Sequence, residues 1–188
     1  MNRLSPDFEL DRYGIQIRLV CESDAPFVTE LRSSQDLAQY LHLADGDVEK
    51  QRRWIEEYKK REAEGKEYYF VYFKDGQPFG LHRLYNIDWT HLSFTSGSWI
   101  CKKGMPNGLC LTAAVIVMEI AYDNLGLLIE FIDVRKENEN IVRLHRDVFR
   151  AIEYGETELD YLFLTTPESR KNSRLKRFLG LPANGIPV

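Results

Sequence analysis

The sequence predicts a mixed α+β domain, one sheet with helices laid on its faces. Three observations lead there. Short β-branched and aromatic runs take turns with longer segments of helical periodicity. Glycine, proline and asparagine turns punctuate the boundaries. A length of 188 residues with a 44% hydrophobic fraction suits one domain with a real core.

The elements follow in order. Residues 1–13 read as an irregular lead-in. IQIRLV at 15–20 alternates and reads as a first strand. Asp24 caps a helix with Pro26 in its first turn, running to about Arg32. A second helix starts near Asp47 and carries Val48, Trp54, Ile55 and Tyr58 among many charges until Gly65 stops it. YYFVYF at 68–73 is a strongly apolar strand. Lys74-Asp75-Gly76-Gln77 is a hairpin signal, with a return strand over 79–86. A further strand spans 92–101, and the loop 102–111 leads into the most apolar helix, 112–124, ended by Gly126. Residues 127–134 are almost continuously apolar, which suits a central strand covered on both faces. A short helix over 140–149 and strands over 152–154 and 159–164 follow. The order is β, α, α, β, β, β, α, β, α, β, β. It places a domain over 14–166 and a basic tail over 167–188.

Composition excludes several classes. The net charge is −4, whereas nucleic-acid domains show a basic balance or stripe. Only Arg170, Lys171, Arg174, Lys176 and Arg177 cluster, and they read as a solvated helix or tail. Cys21, Cys101 and Cys110 have no metal spacing, so no metal site is expected, and free thiols fit a reducing cytoplasm. MNRLSPDFEL lacks the apolar run of a signal peptide, and residues 113–118 are far too short to span a bilayer, so no membrane contact is expected. No dinucleotide fingerprint, Walker loop, HExxH or GxSxG is present.

The chemistry concentrates in residues 100–144. A strand enters a glycine-containing loop that opens a helix. Unpaired amides and the helix dipole make such a place an anion site. The loop reads Met105-Pro106-Asn107-Gly108-Leu109-Cys110. It resembles the pyrophosphate loop of the GCN5-related N-acetyltransferase (GNAT) superfamily, Arg/Gln-x-x-Gly-x-Gly/Ala. Gly108 fits the first glycine. Met105 and Cys110 depart from the pattern, and Pro106 removes one donor. An ordinary glycine loop capping a core helix would look the same. Further on, Val134 is followed four residues later by Asn138, as in the family, where that Asn lies beside the cofactor's amide-bearing arm. Asn also caps helices in its own right. His145 stands where many relatives carry a Tyr proposed to protonate the departing thiolate. The hairpin KDGQPFG adds a third, weaker match.

The resemblance covers roughly 14–165. It implies a central, mostly antiparallel sheet with a splayed parallel strand pair and flanking helices, and acetyl-CoA as acyl donor. It implies Ile100, Cys101, Asn107, Gly108, Leu109, Cys110, Leu111 and Asn138 as cofactor-binding residues, and His145 as general acid. The family's general base is often a carboxylate on the strand before the loop. Here Thr95 or Ser96 stands near that place, and neither abstracts a proton alone. A water chain, His82 or an amine arriving deprotonated would substitute. Tyr40 and His82 are the expected acceptor-side residues. The acceptor is a small-molecule or peptide amine, with a nucleotide-linked amino sugar or a protein N-terminus as the two candidates. Two other readings stand beside this one: a degenerate GNAT-like domain that binds coenzyme A or a protein without catalysis, and an adaptor that needs no cofactor. A homodimer would follow if LDYLFL at 159–164 lay at a sheet edge.

Overall fold

The computed structural model describes residues 2–34, 46–106 and 108–181. Its strands are β1 (Glu9–Arg12), β2 (Ile15–Leu19), β3 (Tyr68–Lys74), β4 (Gln77–Asp88), β5 (Ser93–Cys101), β6 (Ile129–Arg135), β7 (Ile152–Glu156) and β8 (Asp160–Thr165). Among the described residues they form one eight-stranded sheet in the order β1-β2-β3-β4-β5-β6-β8-β7. Every neighbouring pair is antiparallel except β5 and β6. Those two are parallel and meet at only three positions, Ser93–Ile129, Phe94–Glu130 and Thr95–Phe131. Beyond Thr95 they part, and the sheet opens.

The strand periodicity of two sorts the core into two layers. On β3, Tyr68, Phe70 and Tyr72 face α3 (Leu109–Glu119), with Ile116, Val117 and Phe94 in the same cluster. Tyr69 and Val71 face the other way, onto α1 (Ala25–Ser33) and α2 (Val48–Ala63), where they meet Val28, Leu31, Ile55 and Tyr58. Local chemistry sets the ends. The Asp47 side chain accepts from the amides of Glu49 and Lys50 and starts α2. Asp75 and Gly76 both take positive φ, 51° and 74°, which a tight two-residue hairpin between β3 and β4 requires.

Four expectations change. Residues 9–12, placed in an irregular lead-in, form β1, which returns to β2 through Tyr13 and Gly14 at φ 55° and 69°. The apolar helix begins at Leu109 rather than Thr112, because Gly108 at φ 83° already serves as its N-cap. That helix continues past Glu119 in a wide π turn, Ile120–Asn124. The basic segment is not a free tail. It folds into α5 (Pro167–Lys171) and α6 (Leu175–Phe178), with Leu175 buried. One buried carboxylate ties both terminal segments to α3. Glu119 of α3 binds Arg12 of β1 at 2.6 Å and Lys176 of α6 at 2.7 Å. Finally, residues 159–164 lie between β6 and β7, so LDYLFL is not an edge. The outer strand is β7, whose Ile152 and Tyr154 are exposed.

Candidate active site

The opening between β5 and β6 is a cleft of about 180 Å³. A bulge shapes its first wall. In the β4–β5 ladder Leu81 pairs Ile100 and Arg83 pairs Gly97, so Ser98 and Trp99 together face the single His82. Ser98 sits at φ 51°. Bulges of this kind re-aim a strand and release ladder amides. The flip brings Trp99 onto the α3 face beside Ser96 and turns Ile100 towards α1 and α2.

His82 is the centre of that wall and is only 3% exposed. Its Nδ1 lies 2.7 Å from the Tyr72 hydroxyl and its Nε2 2.6 Å from Ser96 Oγ. Burial pushes the imidazole down to about 3, so the ring is neutral at physiological pH. Glu130 stands across the opening on β6, 3% exposed. Its carboxylate accepts from Tyr122 at 2.7 Å and from Thr165 at 2.9 Å, and the Ser96 hydroxyl, which lines the same cleft, is near enough to favour its charged form. Burial raises its carboxyl above the usual range, against these hydroxyl donors and the nearby Arg170 guanidinium, which favour the charged form. Sequence reasoning missed Glu130. The signal was a lone carboxylate inside the apolar run LLIEFI.

The second wall comes from α4 (Glu139–Arg143) and the π turn that prolongs it, Leu144–Phe149. His145 lies here, 6% exposed, stacked on Phe163 at 5.4 Å and against Phe149 at 4.8 Å. Its Nδ1 is buried with no hydrogen-bond partner among the described residues. Burial pushes this ring down to about 4. The sequence expected a histidine that gains and loses a proton near neutrality. Desolvation makes it a neutral imidazole instead, able to donate an N–H. Asn138 also borders the cleft, and its Oδ1 accepts from Ile141 N at 3.4 Å as the cap of α4. Its amide NH₂ is the group left to donate inward.

The glycine loop expected to meet the cofactor lies at the far end of β5. Glycine at the N-cap of α3 offers no side chain to the first turn; the Leu109 amide bonds the Pro106 carbonyl at 3.1 Å, and the amides after it face the helix N-terminus, where the dipole favours an anion. A side chain at Gly108 would be strained by its φ and would meet Leu179 at 3.2 Å. The side chains of Cys101, Leu109 and Cys110 pack against the α3 core layer, Ile100 against the α1–α2 layer, and Leu111 against a third cluster around Phe149. To an anion these five offer backbone rather than charged side chains. The Cys101 and Cys110 thiols are hydrogen-bonded to each other. That bond and burial push Cys101 up, and the same bond draws Cys110 down. Asn107 and Tyr40 lie outside the described residues.

The arrangement is a splayed parallel pair, a bulge at its mouth and an uncapped glycine-led helix. A family model for the acetyltransferase (GNAT) domain matches residues 15–148. The chain belongs to the GNAT acetyltransferase family. The spermidine N(1)-acetyltransferase of Escherichia coli K12 is 27% identical over 126 residues, 61% of this chain and 68% of that protein. Apo FdhC, described as a nucleotide-linked sugar GNAT, superposes with a TM-score of 0.81 at 30% identity, covering 94% of this chain and 99% of that one. The ribosomal-protein-S5-alanine acetyltransferase of Vibrio fischeri shares the fold, with a TM-score of 0.73 at 15% identity over 85% and 97% of the two chains. A Vibrio cholerae spermidine N-acetyltransferase, solved with coenzyme A and spermine, gives 0.72 at 18% over 86% and 100%. This GNAT chain is an N-acetyltransferase that uses acetyl-CoA as acyl donor and transfers acetyl to an amine. No helix among its described residues is long and apolar enough to cross a membrane.

Proposed function

We propose that the acceptor is the primary amine of a nucleotide-linked amino sugar. The observation that carries this is the likeness to FdhC, which extends over 94% of the chain at 30% identity, where the spermidine enzyme of known structure reaches 18%. The chemistry of the α1–α2 side of the cleft supports it. Tyr85 lies over Gly97 at the cleft wall, within 3.0 Å of where a Cβ would stand. The Arg83 guanidinium covers Tyr85 at 5.0 Å and Trp54 at 5.2 Å, and Arg61 covers Trp54 at 5.4 Å. Arg61 and Arg83 share one carboxylate, Glu67. Aromatic faces and surplus guanidinium charge suit a nucleotide and its phosphates better than a polycation.

In this reading the pyrophosphate of coenzyme A sits on the first-turn amides of α3, and its pantetheine arm fills the gap between β5 and β6. Amides released at the bulge polarise the thioester carbonyl, as an oxyanion site does. His145 donates its N–H to the sulfur as charge develops there. The test has two stages. Thermal unfolding with acetyl-CoA, with ATP as the anion control, reads the donor site. A ligand at 100 times its Kd adds about 2.7 kcal/mol. Acceptor-dependent thiol release is then compared for a nucleotide-linked amino sugar, spermidine and a peptide with a free N-terminus. Faster turnover of spermidine or the peptide rejects the sugar reading.

A further inference from the structure

Two protons must leave the acceptor nitrogen during acetyl transfer. An alkyl ammonium loses one before it can attack and the second as the amide forms. The family's usual carboxylate on the strand before the cofactor loop is missing here, since Thr95 and Ser96 stand in that region. The structure supplies a carboxylate from the next strand. Glu130 pairs with Phe94 in the short parallel ladder, at the floor of the cleft. The position is expensive for a charge, and the fold surrounds it with donors: Tyr122 from the π turn after α3, Thr165 from β8 and Ser96 from β5, with the Arg170 guanidinium 3.5 Å over the Tyr122 ring.

Hydrogen-bond accounting gives the chain a direction. Ionised Glu130 accepts only, so Tyr122 and Thr165 donate to it, and Ser96, which shares the cleft with it, has its hydroxyl proton free to turn that way. With its proton given to Glu130, Ser96 Oγ is an acceptor for His82 Nε2–H. His82 Nδ1 then accepts from Tyr72. Each buried group is satisfied, and Ser96 Oγ retains one lone pair on the side of the cleft it lines. His82 is fixed as the Nε2–H tautomer with both nitrogens engaged, so it orients Ser96 rather than taking the proton.

We propose that Glu130 is the proton acceptor of the transfer, reached from the acceptor ammonium through the Ser96 hydroxyl. The ammonium donates to Ser96 Oγ while Ser96 passes its own proton to the Glu130 carboxylate. The freed nitrogen attacks the thioester carbon, the C–N bond forms and the C–S bond breaks. The second nitrogen proton goes to the thiolate, giving free coenzyme A, and Glu130 returns its proton to water. Nothing is oxidised or reduced. The proposal rests on the acetyl-transfer activity and not on which acceptor is used.

The test compares acceptors that need a base with one that does not. Wild type, Glu130→Gln, Ser96→Ala and Asp133→Asn are assayed at neutral pH with the most active alkyl amine of the acceptor screen and with hydroxylamine, which is already unprotonated. Glu130→Gln and Ser96→Ala are expected to lose about 100-fold or more in kcat/KM for the alkyl amine and far less for hydroxylamine. A merely structural role lowers both alike, and equal losses overturn the proposal. So does a selective loss in Asp133→Asn, which would move the base to the exposed carboxylate on the opposite face of β6. Thermal shift with acetyl-CoA on each variant keeps a lost donor site distinct from a lost base. An infrared difference spectrum of wild type against Glu130→Gln needs no acceptor. A carboxylate band at neutral pH is expected, and a protonated band there overturns the proposal.

Discussion

The two walls of the cleft each hold a buried histidine, and the two are in opposite states. His82 and His145 are 3% and 6% exposed, and burial depresses both. On the β4–β5 wall both ring nitrogens of His82 are bonded, to Tyr72 and Ser96. On the α4 wall His145 lies between Phe149 and Phe163 with a bare Nδ1. Desolvation is the same and satisfaction is not. A finished network is a frame that holds geometry before any ligand arrives. A buried nitrogen left unpaired costs stability, and a ligand that pairs it would recover that cost.

The comparison predicts unequal responses. The largest among the substitutions is His82→Ala, which strips the partner from two buried hydroxyls and leaves a cavity. A loss of about 3 kcal/mol is expected in urea unfolding. A loss under about 1 kcal/mol would mean the network is not a frame. Next comes acid titration. Both rings stay neutral when folded, down to about 3 and 4, while the unfolded chain protonates near 6.5. Between those values the unfolded state binds more protons, so stability falls as pH falls from 6.5. The slope is up to about 1.4 kcal/mol per pH unit for each ring. Above 6.5 neither contributes. Glu130 works in the other direction. Its raised value stabilises at low pH and that contribution fades as pH rises through it, so it blunts the acid end of the curve. His145→Phe is expected to halve the histidine slope, read from chemical unfolding at stepped pH.

Gly108→Ala tests the loop instead. At φ 83° an alanine costs about 1 kcal/mol, and its Cβ presses on Leu179, so thermal stability and acetyl-CoA binding fall together. The smallest stability effect belongs to His145→Phe. Removing an unsatisfied nitrogen from an aromatic cage leaves stability unchanged or raises it by up to about 1 kcal/mol. Turnover is expected to drop about tenfold with acetyl-CoA affinity nearly intact, the size of one hydrogen bond to developing charge. Unchanged turnover removes His145 from the mechanism and leaves it a core histidine.

Features written in a few adjacent residues were legible in the sequence. The helix start at Asp47, Asp75-Gly76 as a hairpin turn and YYFVYF as an apolar strand depend on bonds or residue types within one or two turns of chain, so local sequence decides them. Gly108 and Asn138 were visible because a left-handed N-cap and a helix cap need those residue types wherever they fall. β1 was not legible. It offers only Leu10 as an apolar side chain; it pairs with β2, and its Arg12 is tied to Glu119, more than a hundred residues away. For the basic segment a helix was one of two readings; its anchoring, through Lys176 on the same carboxylate, was not legible. Long-range pairing alone made those charges structural.

The sequence by itself determined the order of elements from β2 to β8, the glycine-led helix and the family to which the chain belongs. Only the tertiary structure decided the chemistry of the cleft. The protonation of His82 and His145 depends on how much water the fold removes from each ring. The prominence of Glu130 depends on β5 and β6 meeting for three residues and then parting, which puts one carboxylate against Ser96, Tyr122 and Thr165. A side chain's charge state and reach are set by neighbours that the chain brings from elsewhere, and no local pattern records them.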